Sequence, residues 1–255
     1  MSTPASVLIA QRAIVQFPRN PILLGFSFAP VLMMFLVFGA LFEGVTHLPG
    51  FPTDNYYEYL APTAILLTTV PGIGNAAVAL AGDFQSRYLY KLLTAPISIG
   101  SIVLGRLIGD SVRLCAQAIA VLLLAVALGA QVETGVPGAA LIIVLGTLLG
   151  VVTFGVLTAN LALRSKDAAA VQAILPMAYL LIFLTSAYQQ PEQIDSPVMR
   201  AIIDVNPAEH VLRPMRELML SGYDWPSLGL AAAVIVALGA VGIPLTVRNY
   251  RSVYG

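Results

Sequence analysis

Six stretches of this chain each run, almost free of charge, for close to the roughly 20 residues that a helix needs to cross a bilayer. They cover about 22–42, 60–82, 102–130, 136–163, 168–190 and 226–247. The third is uninterrupted only from Leu114, with Arg106, Asp110 and Arg113 in its opening turns. Few folds in water tolerate this pattern. A soluble domain carries about 25% charged residues, whereas this chain of 255 residues has 10% charged and 58% hydrophobic. Lipid is therefore the solvent for most of the chain, and the expected class is an all-α integral membrane protein forming one transmembrane domain over 1–255. No cleavable leader is read at the start, because the first long apolar run begins near Ile22 and is itself long enough to span.

Orientation follows from the basic residues. With the N-terminus inside, Arg12, Arg19, Arg87, Lys91, Arg106, Arg113, Arg164, Lys166, Arg248 and Arg251 are cytoplasmic, and only Arg200, Arg213 and Arg216 are outside. Both termini are then cytoplasmic. The net charge is zero and the basic residues are dispersed, so nothing points to a nucleic-acid partner and none is expected. Cys115 is the single cysteine, so neither an internal disulfide nor a cysteine metal cluster is possible. His47 and His210 lack metal-ligand spacing, and no metal site is expected. No GxxxxGK[S/T] loop occurs, so the chain is not read as an ATP-binding enzyme. Asp204, Glu209 and His210 read as a solvated face and not as a catalytic group, so no catalytic residue is expected.

Four segments between or beside the spans carry organisation. Residues 3–17 read as an interfacial helix, with Thr3 as cap, Pro4 at the first position, and Val7, Ile14 and Phe17 on one face. In residues 83–98, Phe84, Tyr88, Leu89, Leu92 and Leu93 form an apolar stripe beside Arg87 and Lys91, and Ser98 can cap the next helix. So short a helix either skims the headgroups or docks on a soluble partner, and the pattern alone does not choose. The segment 192–224 holds an external helix: Asn206 as N-cap, Pro207 at the first position, Glu209 completing a capping box, and Gly222 closing the end. Its Val211, Leu212, Met215, Leu218 and Met219 make one apolar face. Tyr56, Tyr57 and Tyr59 close the first external loop and read as anchors at the lipid boundary.

Within the spans, Pro62, Pro71, Gly72, Gly74 and Asn75 predict an interrupted or kinked second helix facing the protein interior or a pathway. Gln172, Pro176, Tyr179, Thr185, Ser186 and Tyr188 put polar and aromatic groups in the fifth. These either line a route for an amphiphile, together with Pro71 and Asn75, or make interhelical hydrogen bonds. Arg106, Asp110 and Arg113 share one helical stripe and read as a structural ion pair near the headgroups. Gly105/Gly109 and Gly146/Gly150 have the spacing of close helix crossings.

The ordered set resembles the ABC-2 type permease family, particularly its daunorubicin-type and related antibiotic exporters, over essentially the whole chain. It comprises the N-terminal interfacial helix, Tyr56-Tyr57-Glu58-Tyr59-Leu60-Ala61-Pro62, Tyr90-Lys91-Leu92-Leu93-Thr94-Ala95-Pro96-Ile97-Ser98, Leu104-Gly105-Arg106 with Asp110, and Asn206-Pro207 followed by Arg216 and Gly222. The resemblance implies a permease subunit in a bacterial cytoplasmic membrane, paired with a second permease subunit and with separate ABC ATPase subunits. ATP and Mg would be bound by those subunits, and no cofactor by this chain. It also implies that the first cytoplasmic loop is a coupling helix, with Phe84, Arg87, Tyr88, Lys91 and Leu92 docked on the ATPase. The implied function is outward transport of a hydrophobic or amphiphilic substrate such as a drug, antibiotic or lipid-like molecule. An ABC-2 exporter of a polysaccharide or lipid-linked glycan is the nearest alternative. A secondary transporter, which would call for inverted repeats or midplane charges, is more distant.

Overall fold

The computed structural model describes Gln11 and residues 21–85, 98–165, 167–188 and 194–254, with side chains outside 21–27, 71–85, 99, 168, 175 and 252–254. The predicted interfacial helix at 3–17 and the loop 86–97 lie outside the described residues, apart from Gln11. Among the described residues the fold is helical, with no strand. The helices are α1 (Pro21–Leu41), α2 (Tyr56–Gln85), α3 (Ile99–Ala127), α4 (Gly135–Gly150), α5 (Val156–Ser165), α6 (Ala168–Phe183), α7 (Pro197–Val205), α8 (Pro207–Leu220) and α9 (Trp225–Tyr254). A π turn over Val151–Gly155 joins α4 to α5, so the two form one rod.

Among the described residues, three stretches are long and apolar enough to cross a membrane: Gly100–Ala127, Gly135–Ser165 and Trp225–Arg251. Their outward faces are apolar as well. Leu104, Ile108, Val112, Ile119, Leu123 and Val126 are all exposed along α3. A continuous stripe of that kind would be a liability in water, and in a bilayer it faces lipid. Ser98 starts α3 as its sequence suggests, its hydroxyl accepting from the Ser101 N–H at 3.2 Å.

The core is built around α2. It packs against α1, α3, α4, α5, α6 and α8, and every residue from Tyr59 to Val70 is buried. The predicted interior position of this helix is therefore observed, but the interruption is not: α2 continues through Pro62 and Pro71 as one helix of 30 residues. A lone proline removes one hydrogen bond and crowds the preceding turn, and packing on all sides holds the rod together. Glycine makes that packing possible. A Cβ on Gly150 would lie 2.6 Å from Thr69 Cγ2 and 3.0 Å from Leu114 Cδ1, and one on Gly146 would lie 2.7 Å from Ile65 Cγ2. The Gly146/Gly150 pair is thus where α4 crosses α2.

The segments assigned outside by charge all meet at one end of the bundle, called here the outer end. Asn55 Nδ2 donates to the Leu128 carbonyl at 3.3 Å, the Gln131 N–H to Glu58 at 2.8 Å, and Thr134 Oγ1 to the Leu218 carbonyl at 2.7 Å. Tyr223 and Trp225 stack at 5.6 Å beside the start of α9, with Trp225 exposed, which is the usual placement of an interfacial aromatic belt. Towards the opposite end, Asn160 of α5 donates to Thr246 Oγ1 of α9 at 3.0 Å and accepts from Asn249. Side-chain bonds of this kind add about 0.6 kcal/mol each between helices in lipid.

Candidate functional site

α6 is apolar but short. Its helix ends at Phe183, well before the predicted 190, and Leu184–Tyr188 follow as turns and bends. One face of α6 stays uncovered. Gln172, Pro176, Tyr179, Leu180 and Phe183, spaced at helical repeats, line an open groove of about 550 Å³. The groove is shallow and lined by one helix, so it meets an amphiphile on one side only, with a tyrosine and one amide among apolar groups.

At the outer end of the groove Phe183 stacks on Tyr188 with ring centroids 5.8 Å apart, and Tyr188 meets Phe38 of α1 edge-on at 5.4 Å. Of the residues predicted to line a route, Gln172 and Tyr179 share the groove and Tyr188 closes its rim through Phe183. Thr185 is elsewhere: it is buried and its hydroxyl donates to the Ile182 carbonyl. Pro71 and Asn75 lie on α2, with side chains outside the described set. Phe84 is in the last turn of α2 and its side chain is likewise outside it. Arg87, Tyr88, Lys91 and Leu92 fall in the undescribed loop.

The non-helical stretch after Phe183 is satisfied almost entirely by side chains. Asn206 Nδ2 donates to the carbonyls of Leu181 at 2.7 Å and Leu184 at 2.8 Å. The Ser186 N–H and hydroxyl each donate to Glu209 at 2.7 Å. Arg216 donates to the Ser186 hydroxyl at 2.9 Å and carbonyl at 3.0 Å, and Tyr59 donates to the same carbonyl at 3.1 Å. Thr63 bonds the Ala187 carbonyl at 3.1 Å and Tyr56 the Tyr188 carbonyl at 3.2 Å. The Arg216 guanidinium also lies 3.9 Å above the Tyr59 ring, an arrangement favourable to a cation. Irregular backbone is tolerated at membrane depth only where protein supplies such partners.

Three sequence expectations change here. Glu209 is buried and not part of a solvated face, and Arg216 is buried with it. They lie seven residues apart, on the same side of α8 as Leu212 and Met219, and that apolar context was the signal that could have found them. Glu209 also does not complete a capping box. Asn206 caps α8 through the Ala208 N–H at 2.9 Å, while the Glu209 carboxylate turns to Ser186. Asp204 is exposed and His210 half-buried, so the three do not converge. Finally, Tyr56 and Tyr59 are not belt anchors, since both are about 1% exposed. Tyr56, Tyr59 and Thr63 recur on the face of α2 turned to the unwound segment. Burial pushes the Tyr56 phenol well above its ordinary pKa; Tyr59 adds to the rise and the Arg216 guanidinium opposes it.

Near the other end, Arg113 and Asp110 form an ion pair at 2.7 Å, one turn apart on α3, with Arg106 a turn before Asp110 and half-buried.

The family model for the ABC-2 type transporter matches residues 5–220. The chain belongs to the ABC-2 type transporter family. It is 26% identical over 246 residues, 94% of this chain and 84% of the relative, to the daunorubicin resistance ABC transporter permease protein DrrB1 of Streptomyces coeruleorubidus. It is 27% identical over 265 residues, 97% of this chain and 89% of the relative, to the putative transport permease ycf38 of Cyanophora paradoxa. An ABC-2 chain is a multi-pass membrane transport subunit, not itself the enzyme, and the family partners with ABC ATPase subunits.

Proposed function

We propose that this ABC-2 chain crosses a bacterial cytoplasmic membrane six times and exports a hydrophobic or amphiphilic molecule along the uncovered face of α6. Two copies, or this chain and a related one, face each other across the path. Separate ATPase subunits bind ATP and Mg and drive the cycle. The observation that carries this reading is the α6 groove, walled by Pro176, Leu180 and Phe183, with Gln172 and Tyr179 as its polar contributions. Such a lining suits an aromatic amphiphile better than a polyol, which needs many more hydrogen-bonding partners. The name of the daunorubicin relative points the same way. Residues 86–96, continuing from Phe84 in the last turn of α2, are then the coupling segment, with Phe84, Tyr88 and Leu92 buried in an ATPase groove and Arg87 and Lys91 paired at its rim.

The test is reconstitution into inside-out vesicles with ethidium as the probe. Ethidium should accumulate only when ATP, the chain and its ATPase subunit are all present. ATP hydrolysis by the chain alone, or dye movement that ignores ATP, would overturn the proposal.

A further inference from the structure

Glu209 and Arg216 are ionisable groups with 6% and 8% exposure, and both act on Ser186. Four donors and acceptors of this one serine are therefore set by two side chains seven residues apart on α8. Ser186 is the middle of the five residues after α6, and those residues have two ways to satisfy their backbone. Continued helix would do it internally, as in any span; the observed turns do it through Tyr56, Tyr59, Thr63, Asn206, Glu209 and Arg216. Buried charges are costly to hold, and their best-attested use is to select one conformation over another. Here the selected conformation sets Tyr188 against both Phe183 in the groove and Phe38 on α1.

Building on the export reading, we propose that Glu209 and Arg216 are positioning residues of the transport path. They clamp residues 184–188 in the non-helical form and so fix the aromatic rim at the outer end of the α6 groove. Neither residue lines the groove, and their effect on substrate passes through Ser186.

The experiment uses the full chain with its ATPase subunit in nanodiscs, with Cys115→Ala removing the native thiol. Ala187→Cys places a reporter in the clamped segment, at a position with 0% exposure. Ala162→Cys, also at 0%, reports on the body of the bundle. N-ethylmaleimide should label Ala187→Cys slowly in the parent and about tenfold faster with Glu209→Ala or Arg216→Ala, because local opening governs access. Glu209→Gln keeps one acceptor for the two Ser186 donors and should fall between. Ala162→Cys should stay slow throughout, which general loosening would not allow. If an alanine variant fails to fold, Ser186→Ala, which removes only the hydroxyl, decides by a rise of about threefold.

Unchanged labelling at Ala187→Cys, or an equal rise at Ala162→Cys, overturns the clamp. Ethidium export should drop in each variant that opens the segment, and full export from an opened segment overturns the positioning role. A parent that exports no ethidium, with the labelling pattern intact, refutes the export reading and leaves the clamp standing.

Discussion

α2 and α6 both carry proline inside an apolar stretch, yet α2 runs unbroken from Tyr56 to Gln85 while α6 gives out at Phe183. The difference lies in what surrounds them. α2 is enclosed by six helices, and close packing, tightened where Gly146 and Gly150 let α4 approach, keeps the helical form the tightest solution. α6 has an uncovered face, and its outer end meets a row of donors and acceptors on α2 and α8. Backbone in lipid unwinds where partners are ready for it, not simply where proline falls.

Variants can break this comparison, in descending order of effect. Glu209→Ala should remove about 3 kcal/mol of stability, since it leaves the buried Ser186 N–H and hydroxyl without their acceptor. Thermal unfolding in detergent would register that as the largest drop of the set. Gly150→Ala drives a methyl into Thr69 and Leu114 and should cost about 2 kcal/mol. Loss of the α2–α4 crossing would also appear as faster proteolysis of the loop between α3 and α4. Tyr59→Phe deletes a single hydrogen bond to Ser186 and should cost about 1 kcal/mol. Pro62→Ala should change stability by less than about 1 kcal/mol, because the helix there is already whole and at most one backbone hydrogen bond is regained. A large effect at Pro62 would mean that α2 owes its course to proline after all.

Much of this was legible in the sequence. The charge-free runs located α1 through α6 and α9, and the Ser98, Asn206 and Gly222 signals located ends of α3 and α8, with Gly222 at a φ of 126°. Gln172 and Tyr179 were recognisable because a polar and an aromatic residue on one face of an apolar helix must meet either another helix or a path. The clamp was not legible, for a physical reason. A charge between two spans looks solvated until the fold shows what covers it, and Glu209 and Arg216 are covered by residues 23 and 30 positions away, at Ser186. The tyrosines misled in the same way: an aromatic at a span boundary suits the headgroup layer as well as it suits a buried hydrogen bond. Only the long-range contacts of Tyr56 with Tyr188, and of Tyr59 with Ser186, decide between the two.

The most direct measurement is the concentration dependence of ATP-driven ethidium export in inside-out vesicles holding the chain and its ATPase subunit. Tyr179→Ala and Gln172→Ala should each raise the KM for ethidium by about tenfold, as expected for losing one stacking or hydrogen-bonding contact in a preformed site. Groove variants whose KM matches the parent would contradict a substrate path along α6.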